Sequence, residues 1–200
     1  MSPCRLLVLR HGQSEWNAAR RWQGQADIDL TDLGREQARR AAERLTGFAV
    51  IASSDMKRAR ETASIIAAVT GAQLTEPDPR LRETDVGEWQ GLTHDEIESQ
   101  WPGYLDAHRR PPSFEPDSAI VSRVSAAFSD IAARHPGGEV LVVSHAGVLR
   151  VMRRHLGVAD QRIANLGGSH FTVHGSGASV RVEAGELVDM LEHGEVGEEL

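Results

Sequence analysis

The chain has 200 residues, of which 40% are hydrophobic and 26% charged, a composition typical of a folded globular protein. The formal net charge is −7, and residues 183–200 account for all of it with seven acidic and no basic residues. Residues 1–182 are therefore electrically balanced, which argues against a nucleic-acid or anionic-membrane partner. The single cysteine, Cys4, excludes an internal disulfide framework and a multi-cysteine zinc site.

The apolar runs of the sequence are short. The longest, Phe48–Ala52 and Ile65–Val69, are far below the ~20 residues that a membrane helix needs. At the amino terminus Leu6–Leu9 is followed at once by Arg10, which is not the pattern of a signal peptide. We therefore expect a cytoplasmic protein.

The first half of the chain alternates strand-like and helix-like segments. Arg5–Leu9 and Phe48–Ala52 are short apolar runs of the kind found in buried strands. Thr31–Leu45 is predicted as a helix that Thr31 caps, and Asp55–Gly71 as a helix that Asp55 caps and Gly71 closes. A turn-rich stretch follows, beginning at Pro77.

The second half continues this alternation. Its predicted elements are a short helix (Asp95–Gln100), a proline-rich loop, a long helix capped by Asp117, a valine-rich strand (Glu139–Ser144), a helix (Gly147–Leu156) and two closing strands (His170–His174 and Ala178–Ala184). Strands that alternate with helices predict an α/β fold, here a three-layer α/β/α sandwich with a mostly parallel central sheet. We assign residues 1–182 to one domain with a small cap inserted at about 83–116, and residues 183–200 to a solvated acidic tail.

The ends of three predicted strands carry residues suited to phosphate chemistry. Arg10 and His11 follow the first strand, His145 follows the valine-rich strand, and Arg58 lies in the first turn of the helix after the second strand. Ligands of open α/β sheets bind beyond the carboxyl ends of the strands, so one crevice is expected to collect all four. Each residue alone is more often a surface or core residue. Together, two arginines, two histidines and a helix N-terminus indicate an anion site, most simply for phosphate.

Several short segments match one family pattern in order. They are Leu9–Asn17, Gln23–Gly24, Leu30–Gly34, Ser53–Ala59, Leu81–Glu83, Gly87–Leu92 and Val143–His145. With these motifs, most of residues 5–156 resembles the histidine phosphatase superfamily in its phosphoglycerate-mutase-like branch. The chain is most similar to the small bacterial-type phosphatases of that branch.

The resemblance implies a role for each residue of the crevice. His11 resembles the nucleophile that accepts the phosphoryl group on a ring nitrogen, and it must be neutral to attack. Arg10, Arg58 and His145 resemble the phosphate pocket that neutralises charge on the transferring group. Glu83 resembles the general acid that protonates the leaving oxygen and then activates water, so we expect its carboxyl to be partly removed from water.

The resemblance also implies contacts that carry no charge. Asn17, Gln23 and Gly24 resemble neutral phosphate contacts of the family. Ala146 stands where a glycine usually follows the late histidine, and its methyl group narrows the approach of the phosphate. No metal or other cofactor is implied, because arginines and histidines supply the positive charge.

Differences from the family separate a phosphatase from a mutase. Val86 and His94 stand where mutases carry a tyrosine and a substrate-binding lysine, and Phe114–Ser118 departs from a stretch common in the phosphatases. Arg109 and Arg110 resemble an arginine pair with which mutases bind the substrate carboxylate. They equally suit two solvated loop charges. Val86, His94 and the short cap favour hydrolysis.

We therefore predict a metal-independent phosphatase of a small phosphomonoester, such as a sugar phosphate or a phosphoglycerate-type metabolite. The phosphoryl group passes through His11, with Glu83 as general acid and base. The alternatives are a phosphoglycerate mutase and, third, a non-enzymatic scaffold that binds a phosphorylated ligand or a partner. The expected partner is a small phosphorylated metabolite, and the sequence does not predict an oligomeric state.

Overall fold

The computed structural model describes residues 2–175 and 180–191, which contain one mixed sheet of six strands. The strands are β1 (Cys4–Arg10), β2 (Val50–Ser53), β3 (Gln73–Leu74), β4 (Glu139–Ser144), β5 (Gly167–His174) and β6 (Arg181–Asp189). Their order across the sheet is β3-β2-β4-β1-β5-β6. The strands from β3 to β1 are parallel, whereas β5 is antiparallel to both of its neighbours. The predicted α/β class with a mostly parallel sheet is confirmed.

Helices cover both faces of this sheet. The α-helices are α1 (Glu15–Ala18), α2 (Asp32–Arg44), α3 (Lys57–Thr70), α4 (His94–Gln100), α5 (Asp117–Arg134) and α6 (Ala146–His155), and two 3-10 helices span Pro79–Leu81 and Gly87–Trp89. Apolar residues of α2 and α3 pack on one face, and those of α5 and α6 on the other. The molecule therefore has the predicted three layers.

Strand β1 shows why both faces need a cover. Leu6 and Val8 point into the core shared with α5 and α6, whereas Leu7 and Leu9 point into the core shared with α2 and α3. All four side chains are buried. Since burial of one such side chain contributes roughly 1.5–3 kcal/mol, both layers of helices stabilise this central strand.

The helix ends agree with the sequence in part. The Thr31 hydroxyl accepts a hydrogen bond from the Gly34 amide at the start of α2, and Gly71 closes α3 in the left-handed conformation, both as predicted. The prediction that Asp55 caps α3 was wrong, because Met56 occupies the N-cap position. The Asp55 carboxylate instead accepts two hydrogen bonds from the Arg82 guanidinium at 2.8 and 2.6 Å.

The last described strand is longer than predicted. Strand β6 pairs with β5 up to Asp189, so residues 183–189 lie in the sheet rather than in a solvated tail. Apolar residues between the acids explain this difference, because Ala184 and Leu187 pack against one core and Val188 against the other. The rest of the predicted tail, residues 192–200, lies outside the described residues.

Residues 83–116, the cap segment, contain a small apolar cluster of their own. Its buried members are Val86, Trp89 and Ile97. The Trp89 ring makes edge-to-face contacts with three other aromatic rings, those of Trp22, Trp101 and Phe114. Three of the four tryptophans therefore pack in or against this cluster. It is distinct from the two apolar cores that flank the sheet.

Candidate active site

The two histidines meet because β1 and β4 are neighbours in register. Arg10 at the end of β1 lies opposite Ser144 at the end of β4. The chain then continues in parallel into His11 and His145, whose ring centroids are 5.2 Å apart. The carboxyl ends of two adjacent parallel strands thus bring together residues that are far apart in sequence, as predicted.

Arg58 reaches the same point from the next strand. Strand β2 ends at Ser53 and α3 begins at Lys57, which places Arg58 in the first turn of the helix. The Arg58 Nε donates a hydrogen bond to His11 Nε2 at 3.1 Å, and its other nitrogens donate to the carbonyls of Ala26 and Gly24. These three acceptors fix the guanidinium without neutralising its charge.

The hydrogen bonds of His11 define the tautomer of its ring. Its Nδ1 lies 2.6 Å from the Gly12 carbonyl, which can only accept, so Nδ1 carries the proton and Nε2 keeps a lone pair. Burial, and then the charges of Arg58 and Arg10, hold the pKa of His11 well below its ordinary value. The ring is neutral at pH 7, and its unprotonated nitrogen faces the guanidinium of Arg58.

His145 is neutral for similar reasons but is not hydrogen bonded. The ring is fully buried, and neither of its nitrogens has a hydrogen-bond partner within the described structure. Burial, followed by the charges of Arg58 and of His11 when protonated, holds the pKa of His145 well below its ordinary value. Leaving a buried donor unpaired costs about 1–3 kcal/mol, so this ring is suited to receive a polar ligand.

Arg10 adds a second positive charge. It is 5% exposed, and one of its nitrogens donates to the Ile163 carbonyl at 3.0 Å. Burial lowers the pKa of Arg58 only to about 10, so this guanidinium also stays charged at neutral pH. Two positive charges beside two neutral imidazoles form a site for an anion that presents several oxygens.

The Glu83 carboxylate is held beside the start of α6. Its two oxygens accept hydrogen bonds from the backbone amides of Thr84 (2.8 Å) and Gly147 (3.2 Å). A side chain at Gly147 would lie 2.3 Å from one of these oxygens, so only glycine permits the approach. Glu83 is partly exposed, as expected, and its charge is close enough to influence Arg58.

The predicted neutral contacts lie around the same crevice. Ser14 forms a capping box with Asn17 at the start of α1, and its hydroxyl donates to the Gln23 side-chain oxygen at 2.8 Å. The Gly24 carbonyl accepts from Arg58, and Ala146 is the first residue of α6, directly after His145. Gly24 and Ala146 therefore contact or adjoin members of the charged cluster, whereas Asn17 and Gln23 are bonded to Ser14.

The predicted arginine pair has other partners. Arg109 lies over the ring of Tyr104 at 4.2 Å, and Arg110 lies over Phe114 and donates to Asp117 at 2.6 Å. Both arginines are exposed. These contacts are those of charges on the surface of the cap segment.

Val86 and His94 stand where mutases carry a tyrosine and a lysine, and the structure shows the surroundings of both. Val86 is buried in the apolar cluster of the cap segment, and the Gly24 backbone packs closely against it. His94 is the exposed first residue of α4. Val86 therefore acts in packing, and His94 lies on the surface.

Sequence analysis missed Asn165 and Arg123. The buried Asn165 amide donates to the His11 carbonyl at 2.8 Å, across 154 positions of sequence. Arg123 of α5 donates to the backbone carbonyl of Glu83. No sequence pattern marks a single asparagine in a loop such as Asn165. Arg123 stands next to Val124 in the apolar stripe of α5, and a charged residue at that place is a signal that it has a buried partner.

The described residues contain neither a membrane-spanning helix nor a metal-binding cluster. Between residues 2 and 175 and between 180 and 191, no helix is long and apolar enough to cross a membrane. The same stretches hold no group of three or more histidine, cysteine, aspartate or glutamate side chains placed to bind a metal ion.

Comparison with known proteins adds the family. A family model described as the histidine phosphatase superfamily (branch 1) matches residues 6–180. An Arabidopsis thaliana protein named phosphoglycerate mutase-like protein 4 is 39% identical over 155 residues, covering 72% of this chain and 67% of the relative. A metal-independent phosphoserine phosphatase from the same plant is 35% identical over 179 residues, covering 84% and 75%.

A solved structure gives the same result. It is a mycobacterial glucosyl-3-phosphoglycerate phosphatase in complex with VO3, which is 33% identical and has a TM-score of 0.80. The alignment covers 90% of this chain and 96% of that one. The chain therefore belongs to the histidine phosphatase superfamily.

Proposed function

We propose that this enzyme is a metal-independent phosphatase that hydrolyses a small phosphomonoester through a phosphohistidine on His11. The observation that carries the proposal is the neutral His11 ring, whose Nε2 lone pair faces Arg58 in a buried, positively charged crevice. Nucleophile, charge stabilisation and a carboxyl group are present at one sheet edge, which is the set of groups that phosphoryl transfer needs.

In the first step His11 Nε2 attacks phosphorus, an N–P bond forms and the ester P–O bond breaks. Arg58 transfers its hydrogen bond from Nε2 to a phosphoryl oxygen, while Arg10 and His145 contact the others. Protonated Glu83 gives its proton to the leaving oxygen, so the product departs as an alcohol. The charges are in place before reaction, which lowers the cost of reorganisation.

In the second step water attacks the phosphohistidine. The Glu83 carboxylate takes a proton from this water, an O–P bond forms and the N–P bond breaks. The electron pair returns to His11 Nε2, inorganic phosphate leaves and the neutral imidazole is restored. Glu83 ends the cycle protonated, as it began.

Local structure favours hydrolysis over the mutase alternative. Val86 is used in packing and His94 is exposed, so neither offers the substrate contacts of a mutase. Arg109 and Arg110 are engaged on the cap surface. We propose a sugar phosphate or a phosphoglycerate-type acid as substrate, in line with relatives named for phosphoserine and glucosyl-3-phosphoglycerate. We further propose a cytoplasmic location and a cap at about 83–116 that selects the substrate.

Phosphate release tests this proposal. A panel containing an aryl phosphate, sugar phosphates and 3-phosphoglycerate is incubated with enzyme and EDTA, with His11→Ala as the control. We expect EDTA-resistant release that the variant lacks. Interconversion of phosphoglycerates without net release would instead establish the mutase, and ligand binding without a phosphohistidine would establish the scaffold.

A further inference from the structure

Arg123 on α5 uses all five of its side-chain N–H groups. Its Nη1 donates to the carbonyls of Arg80 (2.7 Å) and Arg82 (2.6 Å), and its Nη2 donates to the carbonyl of Glu83 (3.2 Å). Its Nε and Nη2 also donate to the two carboxylate oxygens of Glu115, at 2.8 and 3.0 Å. The guanidinium therefore fixes the backbone that leads into Glu83 through three hydrogen bonds to its carbonyls.

Glu115 brings the far end of the cap segment to the same place. Its backbone amide donates to the Asp85 carbonyl at 2.8 Å, and its carboxylate accepts from the Asp85 amide at 3.1 Å. The chain thus enters the cap segment beside Glu83 and leaves it at Glu115, with Arg123 bonded to both points. One guanidinium joins the two stems of the cap to a long helix of the core.

This ion pair differs from the surface pairs of the molecule. The side chains of Arg123 and Glu115 are only 18% and 15% exposed, whereas most of the other ion-paired side chains are considerably more exposed. Charge-assisted hydrogen bonds are stronger and more directional when they are partly desolvated. The Arg123 charge is also close enough to contribute to the lowered pKa of His145.

We propose that Arg123, held by Glu115, is a positioning residue for the general acid Glu83. It touches none of the reacting atoms. It fixes the carbonyls of residues 80, 82 and 83, so that the Glu83 carboxyl stays where the amides of Thr84 and Gly147 hold it. The inference rests on the proposed function, because it assigns a support to the acid of that reaction.

Positioning of an acid has a distinct chemical consequence. An alkoxide is a poor leaving group and needs a proton as its P–O bond breaks, whereas 4-nitrophenolate leaves readily without one. Displacement of Glu83 should therefore slow phosphorylation of His11 by an alkyl phosphate much more than by 4-nitrophenyl phosphate. A loss of general folding would slow both alike.

The experiment measures single-turnover phosphorylation of His11 with 4-nitrophenyl phosphate and with glycerol phosphate. Single turnover isolates the acid step from the hydrolysis that follows it. The variants are Arg123→Lys, Arg123→Met and Glu115→Gln, with Glu83→Gln as the benchmark for loss of the acid. Arg150→Lys is the matched control, because Arg150 forms a similar two-point pair with Asp160 on the exposed side of α6.

We expect both Arg123 variants to slow the alkyl reaction by about 10-fold or more, the scale of a misplaced catalytic group, and the aryl reaction by less than about threefold. Lysine should not rescue, since a single ammonium cannot bind three carbonyls and a carboxylate together. Glu115→Gln should show the same selectivity with a smaller loss. Affinity for inorganic phosphate and the behaviour of Arg150→Lys should match the unaltered enzyme.

Equal slowing with both esters, full rescue by lysine, or a loss of phosphate affinity would overturn the inference. Thermal unfolding identifies any variant that does not fold, and Glu115→Gln still provides the test if Arg123→Met is lost. The proposed function has a separate failure, namely no phosphohistidine in the unaltered enzyme. Selective slowing by Glu83→Gln without selective slowing by the Arg123 variants would reject this inference alone.

Discussion

The crevice around His11 and the cap segment are built in opposite ways. His11, Arg58 and His145 are 2%, 0% and 0% exposed, and the register of β1 and β4 fixes where the histidines lie. The cap segment instead surrounds three buried apolar residues and carries exposed charges such as Arg109. The crevice therefore keeps its histidines and arginines out of water at one edge of the sheet, whereas charges of the cap segment such as that of Arg109 lie on the surface.

This difference has a physical consequence. Charges in a buried, water-poor site act strongly on a phosphoryl group, because little solvent screens them and they need not reorganise. Exposed charges on the cap segment are screened and contribute little individually. Substitutions in the crevice should therefore affect the rate of chemistry, whereas most substitutions on the cap surface should have small effects.

Arg58→Met should cause the largest loss of activity. Loss of this guanidinium removes transition-state charge stabilisation and the hydrogen bond to His11, and we expect a fall in kcat/KM of about 10³-fold. Arg58→Lys keeps the charge but cannot serve Gly24, Ala26 and a phosphate together, so it should recover only part of the rate. Steady-state kinetics with the preferred ester measures both; retention of more than a tenth of the activity in the methionine variant would contradict the account.

Asn165→Ala should have the next largest effect. The variant leaves the buried His11 carbonyl without its donor, which costs about 1–3 kcal/mol of stability. Phosphorylation of His11 should slow by about 10-fold, because the nucleophile is no longer held in place. Asn165→Asp, which keeps the shape but loses the donor at neutral pH, should behave no better. Urea unfolding and single-turnover kinetics test this, and unchanged values in both variants would refute it.

Stability should depend on pH through the two buried histidines. Their native pKa values lie below the ordinary value of 6.5, so the unfolded chain takes up protons that the native protein does not as the pH falls below about 6.5. Stability is therefore full above that pH and declines below it, by up to about 1.4 kcal/mol per pH unit for each histidine.

His145→Gln removes one of these titrations. Urea unfolding between pH 7 and 5 should show a shallower decline for the variant, by up to about 1.4 kcal/mol per pH unit at the acid end of this range, whatever its stability at pH 7. An equally steep decline would show that His145 is not neutral in the native protein.

Arg109→Ala, a substitution on the surface of the cap segment, should have the smallest effect on activity. Since Arg109 is exposed and stacked on Tyr104, its removal should change kcat/KM for a carboxylate-bearing ester by less than about threefold. A rise in KM of more than 10-fold, confined to substrates with a carboxylate, would show that the mutase-like reading of this arginine was right.

The parts that sequence predicts are those with local patterns. The valines of Glu139–Ser144 predict strand β4 with its observed bounds. The rule that ligands bind at the carboxyl ends of strands predicts that His11, Arg58 and His145 share one crevice. The prediction that Asp55 caps α3 was wrong because this carboxylate pairs instead with Arg82, which is distant in sequence. The contacts of Asn165 and Arg123 depend on how distant loops pack, which no periodicity reports.

The most direct test of the account is to trap the phosphoenzyme. The enzyme is mixed with its preferred ester, quenched in alkali, in which phosphohistidine survives, and analysed by peptide mass spectrometry. We predict one acid-labile phosphoryl group on His11, absent from His11→Ala and longer lived in Glu83→Gln when 4-nitrophenyl phosphate is the donor, because the base for water is missing. Rapid phosphate release with no phosphoryl group on His11, or undiminished release by His11→Ala, would contradict the central claim.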